Sequence, residues 1–329
     1  MPGNGSLMMD RSAVHTPHAA VRKEELFPDG IRCLGLAAPA GRIAPDRYEA
    51  ACRFLTGLGL RIVPGRSVLK GDRLSYVSAS AEERADDLNA LIRDPEVQAI
   101  YCLRGGYGSV HLLESLDWSA LRERKLPVVG YSDITALHAA MRKQHSGIAV
   151  SACMALQLEA DSRSRVFRRN FRRAWGIAAG SSGSSGKFRK IAVLHPCNPH
   201  PMEVEAPLFC GNLTTLASLC GTPFLPKMNG KTVFLEDIAE PVRKLDRTLM
   251  QLELGGFFEN CAGVIFGNFK QCGDPAERTE LFRRFAARIQ VPVFSGLHYG
   301  HCARSLSLVC GETAVVRNNS LYLADPFSA

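Results

Sequence analysis

No apolar run in the sequence approaches the roughly 20 residues that a membrane span requires, so no helical membrane segment is expected. There is no Cys-x-x-Cys pair and no His-Glu-x-x-His segment, so the common zinc and dithiol spacings are absent and no metal is expected. The dinucleotide fingerprint Gly-x-Gly-x-x-Gly is incomplete: Gly106-x-Gly108 is followed by His111 where the third glycine belongs, within an interior βα unit. No cofactor is therefore expected. Residues 1–30 are polar, carry Gly, Pro and His, and lack the apolar core of a signal peptide. They read as a disordered extension of a cytoplasmic chain.

The cysteines that are present agree with that compartment. They number eleven, an odd count, and several (Cys33, Cys52, Cys102, Cys153, Cys261) lie inside apolar stretches, which makes them small buried hydrophobes in a reducing environment. The net charge of +8 is partly local, because Arg163, Arg165, Arg168, Arg169, Arg172 and Arg173 crowd one helical segment. No DNA-binding motif accompanies them, so a solvated helix face beside a linker is expected and no nucleic-acid partner. With 329 residues, 46% of them hydrophobic and 22% charged, the chain has the composition of a soluble globular protein and the length for two domains.

From residue 31 the pattern alternates. Residues 31–39 form a buried strand, 46–58 a helix, 61–64 a strand, 80–93 a helix whose Ser80 and Glu83 have capping-box spacing, and 97–103 a strand. A glycine loop, Arg104-Gly-Gly-Tyr-Gly-Ser, follows, and then a helix from about Val110. Alternation of this kind predicts a doubly wound, mainly parallel sheet over 31–175, with ligands bound at the carboxyl ends of its strands. The run Gly180-Ser-Ser-Gly-Ser-Ser-Gly186 marks a linker over 176–190. Beyond it, 191–329 reads as a smaller mixed α/β, barrel-like domain with strands at 191–194, 232–235, 263–267 and 291–294 and helices at 212–219 and 245–252. Hairpins follow over 306–323.

The segment 126–141 concentrates the chemistry. Leu126, Val128 and Val129 make a short buried strand, and Ile134, Leu137, His138 and Met141 recur at helical spacing. Ser132 stands at the join, where an abrupt strand-to-helix turn exposes its hydroxyl to the first free N–H groups of the helix. A helix cap by Ser132 or Asp133 is the structural alternative, and Ile134 occupies the position of the second glycine in the usual Gly-x-Ser-x-Gly elbow. Two later places could complete a nucleophilic site. The apolar strand at 232–235 ends in Glu236 and Asp237, which could equally cap or pair with the following helix. The loop Gly296-Leu-His-Tyr-Gly-His301 carries two histidines between glycines.

Together these motifs resemble the LD-carboxypeptidases, the muramoyltetrapeptide carboxypeptidases, a family that also contains the microcin C immunity peptidases. The resemblance is carried, in order, by Gly-Gly-Tyr-Gly-Ser and its following Leu-Leu and Leu-Asp (105–117), Gly-Tyr-Ser-Asp-Ile-Thr-Ala-Leu-His (130–138), Gly-Asn-Leu (211–213), Leu-Glu-Asp with Asp-Arg (235–247) and Gly-His (300–301). It implies a nucleophile at Ser132, a general base at His301 and an orienting acid at Glu236, with Glu240 the competing candidate. The oxyanion hole would use the N–H of Asp133 and one from Gly105 or Gly106, and Arg104 and Tyr131 would bind substrate. It further implies a peptidoglycan tetrapeptide as substrate, cleaved before its terminal D-alanine during cell-wall recycling in the cytoplasm, and a homodimer. Two alternatives stay open: an immunity-type amidase acting on peptidyl-nucleotides, and a non-catalytic ligand- or dinucleotide-binding protein. The chain departs from the family pattern at 146–154, which lacks a His-Gly-Pro run, at Cys210, and at 308–311.

Overall fold

The structure, a computed structural model, describes residues 21–180, 187–198 and 203–327. Its strands are β1 (Cys33–Ala37), β2 (Arg61–Pro64), β3 (Ala99–Cys102), β4 (Pro127–Gly130), β5 (Ile148–Ser151), β6 (Phe188–Val193), β7 (His195–Pro196), β8 (Val204–Asn212), β9 (Thr232–Ile238), β10 (Gly263–Lys270), β11 (Val293–Ser295), β12 (Leu308–Val309), β13 (Thr313–Arg317) and β14 (Ser320–Ala324).

The first sheet has the order β12-β5-β4-β3-β1-β2, with β1 to β5 parallel. Both faces are covered, as parallel sheets require. Leu34, Leu36, Tyr101 and Val129 point into one apolar core, and their alternating neighbours Ile100, Cys102 and Val128 point into another. The helices Pro45–Gly57 and Ala81–Arg93 begin within a residue of the sequence expectation, and the second closes the Ser80–Glu83 capping box. The helix expected from Val110 is instead a 3-10 turn, Ser109–Leu112, and the α-helix Trp118–Arg124 begins afresh after Asp117, whose side chain accepts the Ala120 N–H.

The second sheet runs β6-β14-β13-β8-β9-β10-β11-β7 and mixes parallel with antiparallel pairs. The sheet is barrel-like without closing. The edge strands β6 and β7 are separated in sequence by Leu194 alone, so the sheet curls toward itself, but among the described residues no ladder joins them. One correction concerns 306–323. β13 and β14 form a hairpin, whereas β12 crosses to the first sheet and pairs antiparallel with β5.

The crossing is anchored by Arg173. This arginine was expected on a solvated face, yet it is fully buried, bonded to both carboxylate oxygens of Glu312 and to the carbonyls of Ser307 and Ala324. Its helix, Arg165–Ala178, buries Phe167, Phe171 and Trp175 and extends into the expected linker, and β6 begins before that linker ends. Residues 181–186 of the linker lie outside the described residues. So do residues 1–20 of the expected extension. Its remainder is packed: Lys23–Glu25 form a 3-10 turn, and Leu26 and Phe27 are fully buried, Phe27 edge-on to Phe171 and Trp175. Among the described residues no helix is long and apolar enough to cross a membrane.

Candidate active site

Gly130 ends β4, and Ser132 opens the next turn with φ of +64°, a left-handed conformation that costs a non-glycine residue energy. The 3-10 turn Ser132–Ile134 runs directly into the helix Thr135–Lys143. A bulkier β4 end would not fit, since a Cβ at Gly130 would lie 2.9 Å from Ile134. Ser132 therefore presents its hydroxyl at the carboxyl edge of the parallel sheet, at the foot of a helix N-terminus.

The glycine loop is pinned against this turn. Asp133 is buried; its Oδ2 accepts the Ser109 N–H at 2.9 Å, and its carbonyl accepts the Ser109 hydroxyl at 2.6 Å. From behind, the buried Arg84 guanidinium donates to the carbonyls of Gly108 and Pro39. The approach is close enough that a Cβ at Gly105 would lie 3.0 Å from Ser132 Oγ. Gly105 and Gly106 thus border the same cavity as Ser132.

The second sheet brings the remaining groups. Glu236, near the end of β9, is 1% exposed, and its Oε2 accepts His301 Nδ1–H at 2.7 Å and the His301 backbone N–H at 3.1 Å. His301 Nε2 lies 3.0 Å from Ser132 Oγ. Gly300 has φ of +106°, and a Cβ there would fall 2.5 Å from Glu236, so the loop reaches this position only with glycine. Asn212 donates through Nδ2 to Glu236 Oε1 at 3.2 Å and to Asp237 Oδ1 at 3.0 Å. Burial pushes the Glu236 carboxyl above its ordinary range, a shift opposed by the hydrogen bond from His301.

The two sheets meet beside Ser132. A Cβ at Gly211 would strike Thr135 at 2.5 Å, and the Asn212 N–H donates to Thr135 Oγ1 at 2.9 Å. One residue pair thus fixes the end of β8 to the first turn of the Ser132 helix, which sets the spacing between hydroxyl and imidazole.

The competing residues have other partners. Glu240 accepts Lys244 Nζ at 2.8 Å in the next helix turn. His298 bonds the Ala303 carbonyl at 2.9 Å. Ser132, His301 and Glu236 are therefore brought into one hydrogen-bonded row, and Gly105, Gly106 and Asp133 lie around it. Arg104 and Tyr131 line the adjoining cavity of about 190 Å³ with Gly105, Gly106, Ser132 and His301. Arg104 is partly committed, donating to the carbonyls of Arg42 and Gly105. Tyr131 packs edge-on against the His301 ring at 5.0 Å, and its hydroxyl accepts from Gln157 Nε2 at 3.1 Å. Burial raises that phenol to about 12.

Sequence reasoning missed Arg47 and Gln157, which line the same cavity, and the buried Arg84 behind the loop. Only the tertiary fold brings them there, and no local pattern marks them.

Known proteins carry the same arrangement of chain. Residues 34–152 match the family model described as the LD-carboxypeptidase N-terminal domain, and residues 205–316 match the LD-carboxypeptidase C-terminal domain. The murein tetrapeptide carboxypeptidase of Pseudomonas aeruginosa is 34% identical over 293 residues, covering 88% of this chain and 94% of that protein. The probable murein peptide carboxypeptidase of Bacillus subtilis is 30% identical over 292 residues, covering 86% of this chain and 88% of that protein. Among solved structures, the muramoyltetrapeptide carboxypeptidase from Oxalobacter formigenes superposes with a TM-score of 0.71 at 26% identity, covering 88% of this chain and 97% of that one. The wild-type apo microcin C7 self immunity protein MccF superposes with a TM-score of 0.75 at 20% identity over 91% of this chain and 97% of that one, a likeness of fold. This chain belongs to the LD-carboxypeptidase family.

Proposed function

We propose that the protein is a serine carboxypeptidase that hydrolyses the amide between the L-centre of the diamino acid and the terminal D-alanine of peptidoglycan tetrapeptides. The observation that carries this reading is the unbroken row Ser132 Oγ, His301 Nε2, His301 Nδ1 and Glu236 Oε2, at 3.0 and 2.7 Å. Its support in kind comes from the family and from relatives named as murein peptide carboxypeptidases.

Ser132 Oγ attacks the scissile carbonyl carbon while His301 Nε2 takes its proton. The carbonyl oxygen becomes an oxyanion that accepts from the Asp133 N–H and from an N–H of Gly105 or Gly106, each donor lowering the barrier by about 3 to 4 kcal/mol. Collapse breaks the carbon–nitrogen bond, and His301 returns the proton to the amine of departing D-alanine. Water then attacks the acyl-serine, with His301 again accepting a proton and passing it to Ser132. Glu236 keeps the Nδ1 tautomer and stabilises the imidazolium through each transfer.

A carboxypeptidase must hold a free carboxylate. Arg104 serves this role, with Arg47 on the same cavity wall, and the volume of about 190 Å³ suits a residue as small as alanine. The acyl portion then extends past Tyr131. Within the cell this chemistry belongs to cytoplasmic recycling of cell-wall peptides, performed by a homodimer.

The test is release of D-alanine from a purified tetrapeptide, followed by chromatography. Wild-type protein should release one equivalent, and Ser132→Ala and His301→Ala should release none. Undiminished turnover in either variant overturns the assignment. Hydrolysis of a peptidyl-nucleotide amide in place of the tetrapeptide would replace it with the immunity-type activity.

A further inference from the structure

Cys210, near the end of β8, and Cys310, just past the end of β12, face each other with their Sγ atoms 3.6 Å apart. Neither belongs to the proton-transfer row. The backbone around them is tied by two hydrogen bonds, from the Gly311 N–H to the Leu208 carbonyl at 2.7 Å and from the Leu208 N–H to the Glu312 carbonyl at 2.8 Å. On the other side, the Cys310 N–H donates to the Ala149 carbonyl of β5 at 2.9 Å. The pair therefore sits where the chain passes between the two sheets. The three places at which the sequence departs from the family pattern, 146–154, Cys210 and 308–311, meet here.

The two thiols are not equivalent. Cys210 is fully buried, and burial holds its thiol well above the ordinary range. Cys310 is half-buried and lines a cavity of about 260 Å³ with Arg142, His145 and Ser146. A small polar oxidant reaches Cys310 through that cavity, whereas Cys210, with no exposed surface, is reached only past Cys310. A disulfide needs its sulfurs about 2.05 Å apart, so the gap still to close is roughly 1.5 Å, within the reach of rotation about the two Cα–Cβ bonds.

We propose that Cys210 and Cys310 form a reversible disulfide when the protein meets a peroxide, and that this bond clamps the crossing segment to β8. Cys310 sulfur attacks one peroxide oxygen and the oxygen–oxygen bond breaks; the departing hydroxide takes up the proton of the Cys310 thiol and leaves as water. Cys210 sulfur then attacks the sulfur of the Cys310 sulfenic acid. The sulfur–oxygen bond breaks, and the oxygen leaves as a second water with the Cys210 proton. Two thiols lose two electrons, and one peroxide gains them. A thiol reductant restores both cysteines. The bond joins positions 100 residues apart, so the loop it closes contains β9, β10 and the His301 loop. The inference stands apart from the carboxypeptidase reading.

The experiment treats the purified protein with hydrogen peroxide, blocks free thiols with an alkylating agent and maps the peptides by mass spectrometry. A linked pair joining Cys210 to Cys310 is expected, with two of the eleven cysteines lost to alkylation and both recovered by dithiothreitol. In Cys210→Ala, dimedone should trap Cys310 as its sulfenic acid; in Cys310→Ala, Cys210 should stay a thiol. Oxidised wild-type protein should melt about 5 °C or more above the reduced form, and that shift should vanish in both variants. Absence of the linked pair in the wild type, or oxidation of Cys210 at the same rate without Cys310, overturns the disulfide. A linked pair with an unchanged midpoint overturns the clamp. The wild-type peptide map decides the first question even where a variant fails to fold.

Discussion

Two glutamates of the second half, Glu236 and Glu312, are almost equally hidden from solvent, at 1% and 8% exposure, yet they are satisfied in opposite ways. Glu312 meets a permanent cation. Both its oxygens bond the Arg173 guanidinium, and Oε1 also accepts the Val309 N–H at 2.8 Å. Glu236 meets an amide, a backbone N–H and an imidazole, with no guanidinium or ammonium bonded to it. The first pair is a static tie between the helix of Arg173 and the strand that crosses to the first sheet. In the mechanism proposed above, the second gains a cationic partner when His301 takes the Ser132 proton, so its stabilisation is strongest when charge develops. Burial alone thus says little about function; the partner's charge state separates a structural carboxylate from a reactive one.

The contrast can be broken or sharpened by substitution. The largest effect is expected from Ser132→Ala, which should lower kcat by a factor on the order of 10⁴ to 10⁶ without moving the thermal midpoint, measured by alanine release and calorimetry. Next comes Glu236→Gln, which should lower kcat by roughly 10⁴, through loss of tautomer and imidazolium control. Its stability should move the other way. Burial raises the folded pKa of Glu236 above its ordinary value near 4.5. Between those values the folded protein binds more protons than the unfolded chain, so wild-type stability falls as pH rises through that window. Glu236→Gln removes that fall and should be as stable as wild type, or more so, at pH 8. A marked loss of midpoint there would show that Glu236 is a structural acid after all.

Glu312→Gln should do the reverse, costing about 3 to 5 kcal/mol in denaturant unfolding because it strands the buried Arg173 charge, while turnover per folded molecule stays within a few-fold. The double variant Arg173→Met with Glu312→Leu should regain most of that loss. The smallest effect is expected from Asn212→Ala. Removing one donor to Glu236 and the cap of the helix Leu213–Ala217 should cost about 1 to 2 kcal/mol of stability and lower kcat about tenfold.

Much of this arrangement is legible in the sequence, because its parts are local. The abrupt turn at Ser132, the glycine loop at 105–108 and the capping box at Ser80 are each fixed by neighbours within a few positions, and each forms as expected. The choice of Glu236 over Glu240 comes from the family resemblance and not from the local pattern. Both follow the same apolar strand, and only the tertiary position of Gly300 and His301 separates them. Arg173 reads as solvated because its partner Glu312 lies 139 residues away, and nothing in a helix pattern announces such a partner. β12 is two residues long, too short for any periodicity, so its crossing to the first sheet is invisible until β5 offers an edge. The buried Leu26 and Phe27 fall in a stretch whose composition reads as disordered, and tertiary packing against Phe171 and Trp175 overrides that composition.

The central claim, that the first half's hydroxyl is activated by the second half's imidazole, is tested most directly by covalent labelling. A phosphonate analogue of the terminal dipeptide should form a single adduct, located by peptide mass spectrometry on Ser132, at a rate that collapses in His301→Ala and falls steeply in Glu236→Gln. An adduct on another residue, or labelling of Ser132 at the same rate with and without His301, would contradict it.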